Sequence, residues 1–131
     1  MPTLDHVALQ VSDMDAAVRF YAEGLGLRLL SRQEDREHGE VFAFFELNGG
    51  NLELLQMIDA EGHPRAMEAP PIRRPYCPHV AVRTDDMDAQ LAALEANGVP
   101  VAAGPFIIEG SVRWVYVHDL DNNIIEYVQW L

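Results

Sequence analysis

Apolar positions in this chain come in short bursts divided by polar turns, and the order of the bursts occurs twice. Leu4 to Val11 is an aliphatic run of strand character. Ser12-Asp13 offers a helix N-cap, and Ala16, Ala17, Phe20 and Tyr21 follow at helical spacing until Gly24 stops the helix. Leu27 to Ser31 and Val41 to Leu47 predict two more strands, with the charged stretch Gln33 to Gly39 as a loop between them. Asn48-Gly49-Gly50 predicts a hairpin turn, since these residues accept positive φ, and Asn51 to Met57 is the fourth strand. The unit reads β-α-β-β-β.

Gly62, Pro64, Pro70, Pro71 and Pro75 then break the pattern over residues 59–76, which predicts a linker or a loop folded over something. The same order follows again. His79 to Arg83 is a strand, and Asp86 caps a helix that carries Leu91, Ala92 and Leu94 on its apolar side and ends at Asn97-Gly98. Val99 to Ala102 and Ser111 to Val117 read as strands, with Gly104-Pro105 to Gly110 irregular between them. The Asp119-Leu120-Asp121-Asn122-Asn123 turn leads into a last strand, Ile124 to Trp130. The expected organisation is one domain over 1–131: module one at 1–58, linker at 59–76, module two at 77–131.

The repeat is carried by residues as well as by pattern. His6-Val7-Ala8 returns as His79-Val80-Ala81, 79 − 6 = 73 residues later, and Asp13-Met14-Asp15-Ala16 returns as Asp86-Met87-Asp88-Ala89 at the same offset. Glu53 matches Glu126 and Gln56 matches Gln129, again 73 apart. Strand alternation sets Leu52, Leu54 and Gln56 on one face and Asn51, Glu53 and Leu55 on the other, so each Glu stands in mid-strand among apolar neighbours. A carboxylate so placed is costly without a partner, and a cation is one answer. His6, Glu53, His79 and Glu126 would then give a divalent ion two nitrogen and two oxygen ligands. Imidazole with carboxylate suits zinc, nickel, cobalt, manganese or iron(II), and the set lacks the thiolates of a closed structural zinc site. A lone strand His is more often a hydrogen-bonded core residue, and a lone strand Glu more often faces solvent; the matched repeat decides for ligation.

His38, His63 and His118 have no counterpart at the repeat offset and read as solvated, with His118 nearest to the expected site. Asp13 and Asp86 read as caps. Glu37 and Glu40 precede a strand and read as exposed, with either able to reach in as a second base. Arg73-Arg74 reads as a solvated loop rather than an anion clamp.

Composition narrows the partners. Nine Lys+Arg against twenty-one Asp+Glu give a net charge of −12, which repels phosphate backbones and anionic membranes and argues against nucleic-acid or membrane binding. An anionic substrate would need a local basic group. One cysteine, Cys77, excludes an internal disulfide, and neither a signal peptide nor a membrane-length apolar run is evident, so the expectation is a cytoplasmic protein.

Leu4-Asp5-His6-Val7-Ala8, Phe20-Tyr21-Ala22-Glu23-Gly24-Leu25-Gly26-Leu27, Leu52-Glu53-Leu54-Leu55, Pro78-His79-Val80-Ala81-Val82 and Asp119-Leu120-Asp121-Asn122-Asn123-Ile124-Ile125-Glu126 together resemble the vicinal oxygen chelate superfamily, the glyoxalase/bleomycin-resistance/dioxygenase group. The resemblance implies an α+β fold in which two tandem βαβββ modules form a half-open, cup-shaped β-barrel around a divalent metal, commonly as a homodimer. His6, Glu53, His79 and Glu126 match its metal ligands. That set resembles glyoxalase I, a lyase that isomerises the hemithioacetal of methylglyoxal and glutathione by proton transfer beside a chelated oxygen, with Glu126 or Glu53 matching the carboxylate that moves the proton. Gln10 stands where the bacterial glyoxalase I pattern has an arginine for glutathione, and Met57 where it has an asparagine. Glu37-His38-Gly39 with Leu52-Glu53-Leu54-Leu55 looks like methylmalonyl-CoA epimerase, in which Glu37 would be one of two bases acting on a thioester substrate. Were Glu53 not a ligand, His6, His79 and Glu126 would form a triad that resembles extradiol dioxygenases and manganese thiol transferases; a ligand-sequestering protein of the bleomycin-resistance kind is the further alternative.

Overall fold

The computed structural model describes Met1–Leu131 throughout. The chain divides into two compact units, Met1–Ala69 and Pro70–Leu131. Unit one runs β1 (His6–Gln10), α1 (Met14–Arg19), a π-helical turn (Phe20–Gly24), β2 (Leu29–Asp35), β3 (Glu40–Phe45) and β4 (Asn51–Met57). Unit two runs β5 (His79–Arg83), α2 (Met87–Ala96), β6 (Ala103–Ile108), β7 (Val112–His118) and β8 (Ile124–Trp130). Each unit holds one unclosed four-stranded sheet, ordered β1-β4-β3-β2 in the first and β5-β8-β7-β6 in the second. In both, the first strand lies parallel to the last, and the remaining pairs are antiparallel. The architecture is α+β, as the doubled pattern predicts.

A parallel pair needs a long crossover, and each unit returns through its helix and two intervening strands. The helix covers one sheet face: α1 packs on β3 and β4, α2 on β8. Under α1 the core is Val11, Met14, Ala17, Tyr21, Ala43, Phe45, Leu52 and Leu54. Under α2, Met87, Leu94, Val115, Val117, Ile125 and Tyr127 are buried. Burial pushes the Tyr127 phenol up to about 12.

The repeated polar residues serve the helix starts. Asp13 Oδ1 accepts from the Ala16 N–H at 3.2 Å and Asp86 Oδ1 from the Ala89 N–H at 3.0 Å, both as N-caps. The repeated glutamines reach up from the last strands: Gln56 Oε1 accepts from the Met14 N–H at 2.9 Å, and Gln129 Oε1 from the Met87 N–H at 3.0 Å. Each helix is thus tied to its sheet through a backbone donor that the helix itself cannot satisfy. In the β7–β8 turn, Asp119 Oδ1 accepts from the backbone N–H groups of Asp121 and Asn123, so the Asp-Leu-Asp-Asn-Asn motif is a turn scaffold.

Three elements differ from the sequence expectation. First, Gln33 to Asp35 are strand, because β2 is an edge strand with exposed side chains and needs only backbone pairing to β3; the turn shrinks to residues 36–39. Second, Val99 to Ala102 is no strand. Val99 closes the helix end, its N–H donating to the Leu94 carbonyl at 2.9 Å with its side chain buried, while Ala103 to Ile108, expected irregular, pairs with β7 around a bulge. Third, the first helix widens at Phe20, where the Leu25 N–H donates to the Phe20 carbonyl at 3.0 Å. This wide turn keeps Tyr21 fully buried, 5.8 Å from the Phe45 ring centroid.

Two stability outcomes follow. Gln56→Ala strands a buried N–H and should cost about 1–3 kcal/mol, whereas Gln129→Ala, whose acceptor is less buried, should cost less; urea unfolding of both variants compares them. Gly50 sits at φ +145°, where an added Cβ would lie 2.8 Å from Leu4 Cγ and 3.1 Å from the Leu4 carbonyl oxygen. Gly50→Ala should therefore lose about 1–3 kcal/mol, read as a lowered Tm.

Candidate functional site

The helix-free face of each sheet carries the repeated histidine and glutamate. In unit one, β1 pairs with β4 so that Ala8 lies opposite Glu53 and His6 opposite Asn51. Leu52, Leu54 and Gln56 point to the α1 side, which sends Glu53 to the other. His6 Nε2 stands 3.7 Å from Glu53 Oε1. In unit two, Ala81 lies opposite Glu126 and His79 opposite Ile124, and His79 Nε2 stands 3.8 Å from Glu126 Oε2. Two equivalent His–Glu pairs result, each built within its own unit. The glutamate side chains are largely enclosed, at 13% and 15% exposed.

Both imidazoles are fixed from behind. His6 Nδ1 lies 2.6 Å from Asp5 Oδ2, and His79 Nδ1 donates to the Tyr76 carbonyl at 2.8 Å. The hydrogen bond to Asp5 is the largest cause holding His6 above its ordinary value, with the charges of Glu53 and Asp5 adding to it and burial opposing it. With the neutral ring's proton on Nδ1, each Nε2 presents a lone pair toward a carboxylate oxygen. Two electron-rich atoms 3.7–3.8 Å apart are too far for a direct hydrogen bond. They are close enough to share one ion at bonds of about 2.0–2.2 Å. A carboxylate or carbonyl behind a ligating imidazole is also the usual outer support of such a nitrogen. The donor set and its backing therefore fit a divalent metal.

Aromatic rings floor both pairs. Phe44, opposite Glu53 on β3, packs edge-on against His6 at 5.5 Å between centroids. Tyr116, opposite Glu126 on β7, does the same to His79 at 5.6 Å. The two differ by a hydroxyl. Burial, followed by the Glu126 charge, raises the Tyr116 phenol above its ordinary value. Sequence reading missed Tyr116. The available signal was its place two residues after Trp114 on a strand, parallel to Phe42 and Phe44 in the first unit.

The other sequence candidates lie elsewhere. Glu37 is on the exposed β2–β3 turn. That turn adjoins the Met57 end of β4, four residues along from Glu53, or about 13 Å at strand rise. The structure does not bring Glu37 to the His6–Glu53 pair of its own unit. His38 bonds Asp35 within the same turn, at 2.8 Å. His118 ends β7 and donates from Nδ1 to the Asp119 carbonyl at 2.8 Å. His63 joins Asp59 and Glu61 in an exposed turn whose ligand-type atoms lie within 4.8 Å of one another.

The fold and the sequence have known relatives. Residues 3–127 match the family model of the Glyoxalase/Bleomycin resistance protein/Dioxygenase superfamily. The chain is 31% identical over 132 residues to a lactoylglutathione lyase of Haemophilus influenzae, covering 95% of this chain and 90% of that protein. It is 31% identical over 100 residues to an ethylmalonyl-CoA/methylmalonyl-CoA epimerase of Cereibacter sphaeroides, covering 75% of this chain and 72% of that one. Among solved structures, a glyoxylase/bleomycin resistance protein/dioxygenase domain from Frankia matches the fold with a TM-score of 0.77 at 21% identity, over 100% of this chain and 99% of that one. By the family match over nearly its whole length, the chain belongs to the glyoxalase/bleomycin resistance protein/dioxygenase superfamily.

Proposed function

We propose that this protein is a divalent-metal-dependent lyase or isomerase of the glyoxalase I type, a cytoplasmic homodimer that moves a proton beside a chelated oxygen of a small carbonyl compound such as a hemithioacetal. His6, Glu53, His79 and Glu126 are the proposed ligands. Their assembly into one site, within a chain or across the dimer, is part of the proposal. One observation carries it: two equivalent His–Glu pairs, each with Nδ1 secured and Nε2 facing a carboxylate. The relative named lactoylglutathione lyase supports the reaction class. A bound divalent ion would act as Lewis acid toward the substrate oxygen and make the neighbouring C–H more acidic.

The chain's own residues handle the proton. Glu126 stands opposite Tyr116, which brings a hydroxyl to its side, whereas Glu53 faces Phe44, which offers no hydrogen-bonding group. Glu53 or Glu126 turns toward a substrate C–H, collects its proton and returns it to the adjacent carbon. Enclosure of both side chains keeps water from competing for that proton. Epimerisation of an acyl thioester is the second reading, supported by the relative named as an epimerase. It calls for two opposed bases, of which Glu37 is the sequence candidate for one.

Glu53→Gln and Glu126→Gln should leave the fold intact and cut turnover of the methylglyoxal–glutathione hemithioacetal by about 10²-fold or more, the scale of a lost general base. Unchanged turnover in both would sink the assignment, and turnover of a methylmalonyl thioester alone would favour the second reading. Plasma mass spectrometry of the purified protein should find about one divalent transition metal per proposed site, lost in His6→Ala/His79→Ala. Because the Asp5 contact raises His6, its ring in metal-stripped protein should titrate above the ordinary 6.5. Metal release on acidification should accordingly begin at higher pH than for an unperturbed imidazole, since a ligating nitrogen must be deprotonated. Asp5→Asn should lower the His6 midpoint in an NMR titration.

A further inference from the structure

We propose that unit two carries a one-ring subsite beside the His79–Glu126 pair, shaped for an aromatic group that bears a negative charge read by Arg74. A cavity of about 220 Å³ is lined by Arg74, Pro75, Tyr76, Phe106, Trp114 and Tyr116. Four of the six are aromatic. Tyr76 stacks on Tyr116 at 4.6 Å between centroids, and Phe106 leans on Trp114 at 5.4 Å and on Tyr116 at 6.3 Å. Tyr116 also stands edge-on to His79 and opposite Glu126 on the neighbouring strand, so the cavity shares a wall with the proposed catalytic pair.

The backbone is shaped around this group. Gly104, at φ +94°, lets the Phe106 ring lie back over its own strand: an added Cβ would meet Phe106 Cδ2 at 3.0 Å and the Phe106 nitrogen at 3.1 Å. The bulge between Ala103 and Phe106 re-aims the ring at the same place. Phe106 is 38% exposed, an apolar face left open to a guest.

Size and charge choose the guest. Pockets for drug-sized ligands run to about 300–1,000 Å³, so this smaller one suits a single ring with a short substituent. A net charge of −12 and four aromatic rings would by themselves favour a cation. Arg74 is the only charged residue in the wall, and it reverses that preference locally. Arg74 is thus a specificity residue for an anionic aromatic compound rather than one more solvated loop charge. As the substrate tail of the reaction proposed above, this compound rests on that reading; as a binding site it stands alone.

Calorimetric titration of the metal-stripped full chain with phenylacetate, phenylacetamide and acetate tests the subsite. Saturable binding of phenylacetate is expected, with acetate failing to compete. Phenylacetamide should bind about threefold or more weakly, the scale of one exposed ion pair. Arg74→Gln should bring phenylacetate down to the amide while leaving the amide unchanged, and Phe106→Ala should weaken both. Absence of saturable phenylacetate binding, equal affinity for acetate, or an Arg74→Gln variant that binds phenylacetate like the parent would overturn the proposal. Lost turnover or absent metal with intact phenylacetate binding would count against the proposed reaction alone, and the reverse result against the subsite alone.

Discussion

Everything in each unit depends on the parallel pairing of its first and last strands. β1 and β4, like β5 and β8, run side by side in the same direction, and that geometry forces a long crossover through a helix. The helix must bury its apolar side, and it does so on one sheet face only. Period-two alternation then divides every strand: leucines, valines and a helix-capping glutamine go under the helix, while the histidine and glutamate go to the opposite face. The chemistry-bearing residues occupy that face because packing claims the other. A shift of register by one residue would exchange the two sets and destroy core and site together.

The His–Glu pairs are shaped as much by their supports as by their own side chains. Asp5 and the Tyr76 carbonyl turn the two rings so that equivalent nitrogens face the glutamates, although one support is a charged side chain and the other a backbone oxygen. Phe44 and Tyr116 take equivalent places beneath the rings, yet only Tyr116 brings a hydroxyl to its glutamate. Duplication gives the two halves one plan, and single residues then divide the labour between them. Around Tyr116 the second half also gathers Tyr76, Phe106 and Trp114 about a cavity.

Much of the fold was legible because its signals are local. Alternation, cap residues and glycine turns marked six of the eight strands and both helices near their observed places. The errors fell where local pattern and sheet pairing disagree. The polar end of β2 is a strand because β3 supplies its hydrogen bonds, not because its side chains favour one. Val99 to Ala102 looks like a strand but is spent on closing a helix end, and Gly104-Pro105 looks like a loop but lies within a bulged strand.

The sequence by itself determined the duplication, the α+β class, the superfamily and the residues worth watching, because a 73-residue repeat of His, Asp, Glu and Gln is visible without coordinates. It could not separate the roles within that repeat: Asp13, Gln56 and their repeat partners hold helices, while His6 pairs with Glu53, and His79 with Glu126, each on the helix-free face of its own sheet. Only the tertiary structure decided which ring nitrogen faces each carboxylate, that Tyr116 stands opposite Glu126, and that Arg74 borders an aromatic cavity. These are contacts between residues far apart in the chain, set by strand register and loop path, and no periodicity along one segment encodes them.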